Sequence, residues 1–108
     1  MIARIWTTRV IAGRESEYQQ FANTRSTEMF KQQPGCLGVL MLRGADGTFS
    51  ALSLWHSSTD ADALANSESY LATVAALNQL SVLTGESTVV RFQVHGGSLP
   101  GVTVPDSP

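Results

Sequence analysis

The runs CLGVLMLRG, residues 36–44, and TFSALSLWH, residues 48–56, are separated only by Ala45, Asp46 and Gly47. An Asp-Gly pair between two apolar runs signals a tight turn, so the two are expected to pair as an antiparallel hairpin. Successive side chains of a strand point to opposite faces. The first run then puts Leu37, Val39 and Met41 on one face and Cys36, Leu40 and Leu42 on the other. The second sets Phe49, Ala51 and Trp55 against Leu52 and Leu54. A sheet that is apolar on both faces must be covered on both. One layer of helices covers one side. A second copy of the same sheet is the simplest cover for the other, which predicts a homodimer.

The flanking segments supply the helices. IARIWTTRVI, from Ile2 to Ile11, reads as a first strand, with Ile2, Arg4, Trp6, Thr8 and Val10 on one face. From Arg14 to Gln33 no proline or glycine intervenes, and Tyr18, Phe21, Ala22, Arg25, Met29 and Phe30 recur at helical spacing. Pro34-Gly35 stops that helix. After His56, Ser57 and Thr59 each stand three residues ahead of an aspartate, Asp60 and Asp62, and either pair can open a short helix reaching about Ala65. NSES is a second start signal, followed by a stripe of Tyr70, Leu71, Val74, Leu77 and Leu80, with Gly85 as its stop. STVVRFQVH, residues 87–95, is the fourth strand. The order β-α-β-β-α-β gives an α+β, ferredoxin-like domain over residues 1–97, a four-stranded antiparallel sheet with helices on one face. A Gly/Pro-rich tail fills 98–108.

Composition narrows the partners. With 108 residues and 43% hydrophobic content the chain makes one ordinary globular domain. Its seven basic residues are scattered and its formal charge is −2, which argues against nucleic acid. No apolar run reaches the ~18–20 residues that cross a membrane. MIARIW lacks the features of a secretory signal and Cys36 is a lone cysteine, so a cytoplasmic protein is expected.

The opening MIARIW, the turn Pro34, Gly35 and Gly38, and LSLWHS closing the third strand resemble the antibiotic biosynthesis monooxygenase (ABM) domain family, from Met1 to about Gly97. In that family the tryptophan is followed by a polar residue, serine, an acid and a helix; Trp55, Ser57 and Asp60 take those places, with His56 where an acid is more usual. The resemblance implies a dimeric α+β barrel. It also implies either cofactor-independent oxygenation of an aromatic, quinol- or anthrone-like compound, or a role in binding or assembly without catalysis.

On that reading Trp55 either walls a pocket for a flat ligand or seals the strand end against the helices. His56 is the one near-neutral titrating group beside the motif and a candidate general base, although alternation turns it away from Trp55's side. Trp6, Tyr18, Tyr70 and Met41 are candidate walls of the same cleft, and each also fits a core position. Arg91 can hold an anionic substrate or form a structural ion pair. The lining drawn from the hairpin, Met41, Leu42, Ala51 and Ser53, is mostly apolar and suits the exclusion of water. The resembled family also includes haem-degrading members that hold iron with a histidine on the second helical region. No histidine stands on either helix here, so haem is not expected, and without a ligand cluster or a glycine-rich nucleotide loop neither is a metal or flavin.

Overall fold

The computed structural model describes residues 1–105. Strand β1 (Ile2–Val10) leads into helix α1 (Glu15–Phe21), a π-helical turn (Ala22–Ser26) and helix α2 (Thr27–Lys31). The hairpin follows as β2 (Cys36–Arg43) and β3 (Thr48–Trp55). Helix α3 (Ser58–Ala63), a 3₁₀ turn (Leu64–Asn66), helix α4 (Glu68–Gln79) and strand β4 (Leu83–Gln93) complete the chain. All strand pairs are antiparallel, in the order β2-β3-β1-β4, so the β-α-β-β-α-β expectation holds. Beyond β4, Leu99 and Val102 form an isolated bridge. The expected tail is only partly covered, since residues 106–108 lie outside the described residues.

Strand β3 alternates as its sequence demands. Phe49, Ala51, Ser53 and Trp55 are buried beneath the helices, and Leu52 and Leu54 lie on the other face. Cys36 departs from the expected alternation. A bulge lets Cys36 pair with Trp55 and Gly38 with Leu54, so the extra residue moves Cys36 to the helix side with Val39 and Met41. Leu40, opposite Leu52, stays on the outer face and is 62% exposed.

The long helix is interrupted. The backbone N–H and the hydroxyl of Thr27 both donate to the Ala22 carbonyl, five residues back, in place of the usual four. The added residue rotates the apolar stripe. Tyr18, Ala22, Met29 and Phe30 are buried, whereas Arg25 stands exposed beside the Phe21 ring. On α4 the buried stripe includes Thr73 in place of Leu71, which is 53% exposed. Helix α4 ends at Gln79, with Ser81 at φ 55, six residues before the expected stop. Gly85 instead serves β4: at φ 73 it opens the bulge by which residues 85–87 oppose Thr8.

The two motif corners meet physically. His56 N–H donates to the Gly35 carbonyl at 2.8 Å. Ser57, not Thr59, caps α3, accepting the Asp60 N–H at 3.2 Å while its hydroxyl donates to the Asp60 carboxylate at 3.1 Å. Gly35 lies directly under that carboxylate, at φ 79, where an added Cβ would stand 2.3 Å from Asp60 Cγ. Gly13, at φ 89, has nothing within 4 Å of such a Cβ. Gly35→Ala is therefore expected to cost more than Gly13→Ala, for which only the left-handed backbone term of about 1–2 kcal/mol applies. Urea denaturation of the two variants measures this. Equal losses would mean that Asp60 does not confine Gly35.

Candidate functional site: a cavity between the sheet and the second long helix

The helix side of the sheet carries two apolar clusters. One gathers Val10, Tyr18, Ala22, Phe49, Leu77 and Val82; the other gathers Met29, Phe30, Trp55, Ala61 and Leu64. Met41 packs against both. Helix α4 rests chiefly on α2 and the 3₁₀ turn. Between the clusters remains a cavity of about 280 Å³. Its floor is Trp6 of β1, Met41 of β2 and Ala51 of β3. Tyr18, Ser26, Met29 and Phe30 close one wall, and Tyr70, Thr73, Val74, Leu77 and Asn78 present one face of α4 as the other. The π turn aids this directly, because its extra residue brings Ser26 round to the cavity.

The lining is mainly apolar, with hydroxyls and one amide as its polar groups. Among the described residues no carboxylate, histidine, lysine or arginine lines it. Tyr18 is 3% exposed, stacks near Trp6 with ring centroids 6.5 Å apart and packs on Phe49 at 5.0 Å. Burial pushes its phenol up to about 12, which keeps it neutral. Tyr70 is half-buried and accepts a hydrogen bond from Arg4 Nη2 at 3.3 Å.

Of the residues singled out from the sequence, Trp6, Tyr18, Met41 and Tyr70 meet around this cavity. Trp55, His56 and Arg91 do not. Alternation carries Trp55 to the helix side, but Phe30 stands against it edge-on at 6.5 Å and it is 1% exposed. Its indole N–H donates to Ser53 Oγ at 2.9 Å, so a fully buried serine meets the polar need of a core tryptophan. The pocket-wall expectation for Trp55 is thus corrected to a sealed strand end. His56 is an exposed corner residue, its Nδ1 3.9 Å from Asp60 Oδ2, outside reach of the cavity lining. Arg91 is committed to Asp62 on α3. Leu42 belongs to the outer face and Ser53 to the tryptophan, which leaves Met41 and Ala51 as the hairpin's share of the lining. Arg4 is the residue that sequence reasoning passed over. Its position on the face shared by Trp6, Thr8 and Val10 is the signal that could have found it.

An antiparallel ferredoxin-like sheet with an apolar cavity under its helices defines the class of protein. The sequence profile described as "Antibiotic biosynthesis monooxygenase" matches residues 1–76, and the chain belongs to that family. Members are commonly homodimers that bind small ligands. Among solved structures, Rv0793 from Mycobacterium tuberculosis is similar with 17% identity and a TM-score of 0.73, over 91% of this chain and 98% of that one. NE2512 from Nitrosomonas europaea, a protein of unknown function, has 16% identity and a TM-score of 0.78, over 94% and 95%. An arginine-to-serine mutant of MhuD, solved with two manganese protoporphyrin IX per active site, has 24% identity and a TM-score of 0.76, over 91% and 98%. At these identities the likeness is one of fold. A search of curated proteins finds no match.

Two expectations follow from the site's geometry. Trp55→Ala should lose about 3–5 kcal/mol, the range for truncating a large buried aromatic, while His56→Ala, at an exposed corner, should stay within about 0.5 kcal/mol; thermal and urea unfolding compare them. The Tyr18 phenol should ionise near 12, above its unfolded value of about 10. Because the folded value is the higher one, its stabilising contribution is complete below pH ~10 and is lost as the pH rises towards 12. Ultraviolet titration of phenolate in the protein and in Tyr18→Phe detects it. A Tyr18 that titrates near 10 would mean that the hydroxyl is solvated.

Proposed function

We propose that the cavity binds a small, flat aromatic molecule of the quinol or anthrone type and is the place of its cofactor-independent monooxygenation. The observation that carries this reading is the lining itself: Trp6, Tyr18, Phe30 and Tyr70 with Met29 and Met41, around a space of about 280 Å³. For an anthrone the chemistry balances without a redox cofactor. A ring CH₂ becomes C=O, and the four electrons it gives up reduce O₂, one oxygen entering the product and the other leaving as water. The chain's share is to hold the planar carbanion away from bulk water and to leave room beside it for oxygen. Haem held through a histidine is not supported, because neither His56 nor His95 lines the cavity.

A second reading, ligand binding without turnover, is favoured by the lining, in which no carboxylate or histidine stands among the described residues to act as an ordinary general base. On either reading the working unit is a homodimer in the cytoplasm, the compartment suggested by the lone Cys36. Support for the dimer comes from the outer sheet face, where Leu40, Leu42, Val90 and Phe92 are 62%, 41%, 47% and 55% exposed, a patch of the kind that marks an interface. Light scattering should give about twice the 11.6 kDa chain mass. Leu40→Asp should yield a folded monomer. A wild-type protein of single-chain mass at micromolar concentration would contradict the dimer.

Oxygen uptake with a panel of anthrones and hydroquinones separates the two readings. Turnover is expected to consume one O₂ per substrate and, with ¹⁸O₂, to label one product oxygen. Binding of the same compounds with no uptake above buffer would leave the ligand-binding reading.

A further inference from the structure

Arg4 lies on the helix side of β1, is 7% exposed and forms no salt bridge among the described residues. A guanidinium is always charged, and burying one without a carboxylate is costly unless other groups take its donors. Its side-chain partner is Tyr70, whose oxygen it reaches at 3.3 Å and whose ring centroid lies 5.8 Å from its Cζ. Arg91 stands across from Arg4 on β4 and is itself bound to Asp62 of α3.

The direction of the Arg4–Tyr70 bond is fixed by chemistry, since a guanidinium has donors and no acceptor. The Tyr70 oxygen must therefore accept, and its own hydrogen must point elsewhere. Among the described residues that hydrogen has no acceptor, and Tyr70 lines the cavity. A phenol that accepts from a cation is also a stronger donor, because bonds in a chain polarise one another.

We infer that Arg4 is a positioning residue that holds the Tyr70 hydroxyl as a donor into the cavity, and that the cavity selects ligands carrying an acceptor oxygen, a carbonyl or the oxyanion of its enolate. This rests on the reading of the cavity as a small-molecule site and names the group by which the ligand is oriented. Tyr18, whose neutral hydroxyl has no hydrogen bond among the described residues, also lines the cavity and can serve a second polar edge.

Two bicyclic probes of matched shape test it: 1-tetralone, which carries an aryl ketone, and tetralin, which does not. Tyr70→Phe keeps the ring and removes the donor, so it should weaken 1-tetralone about tenfold, the worth of one directed hydrogen bond, and leave tetralin unchanged. In infrared difference spectra with ¹³C-carbonyl 1-tetralone, the bound ketone should absorb at lower frequency in the wild type than in Tyr70→Phe. Arg4→Met should split that band into bonded and free populations, because the hydroxyl regains its rotation. Arg4→Lys, which keeps a donor-only cation, should retain the single band and carries the test should the methionine variant not fold. Equal losses for both probes, or a ketone band unmoved by Tyr70→Phe, would overturn the inference and leave the cavity a ligand site. Failure of both probes to bind the wild type would overturn it together with the proposed function.

Discussion

The constraint on which the rest depends is that this sheet has two apolar faces and one layer of helices. Alternation along β3 sends Phe49, Ala51, Ser53 and Trp55 to the helices and Leu52 and Leu54 away from them. Everything on the helix side is then a problem of filling volume. The two clusters solve it at the ends of the sheet, and the middle, where α4 offers Thr73 and Val74 and the floor offers Ala51, stays open. The cavity is what small side chains leave between large ones. The opposite face keeps Leu40 and Phe92 in water in a single chain, and the homodimer proposed here is the corresponding relief.

Much of this was legible because it follows from local rules. Asp46-Gly47 sets the hairpin, and Ser57 opens α3 by capping chemistry that spans only the four residues from Ser57 to Asp60. The close approach of Gly35 to Asp60 explains why a glycine must stand in the turn that precedes β2. What the sequence concealed were single-residue insertions and distant contacts. The bulge at Cys36 reverses one face assignment, and the π turn at Ala22–Ser26 rotates half a stripe; neither alters composition or periodicity enough to be read. Gly85 looked like a helix stop and is a strand bulge, since a left-handed glycine serves both. The Trp55–His56 corner has residue types that carry chemistry, yet Ser53 and Phe30 absorb the tryptophan and the histidine stands in solvent.

The polar logic of the site runs through residues of little individual promise. Arg4 and Tyr70 are sixty-six positions apart, and only the fold, which brings Tyr70 of α4 to Arg4 of β1, gives a buried cation a phenol as partner. That pairing gives a mainly apolar cavity a preferred direction for a ligand's oxygen. It also accounts for how a site with no carboxylate or histidine among the described residues favours an enolate: charge at the carbonyl oxygen is met by a polarised O–H, while the proton leaves to water or to the substrate's own base. Membership of the antibiotic biosynthesis monooxygenase family fits this arrangement, and the fold alone would not have placed it, because a fold does not fix a site.

The central claim is that ligand enters the cavity beneath α4 and not the corner at Trp55–His56. The two tryptophans distinguish these places, since Trp6 lines the cavity and Trp55 lies outside it. In an ¹⁵N-labelled sample each gives one indole N–H signal, assignable from Trp6→Phe. Titration with an aryl ketone should move the Trp6 signal in a saturable way and leave that of Trp55 in place. Movement of the Trp55 indole and the His56 amide, with Trp6 unmoved, would contradict the account.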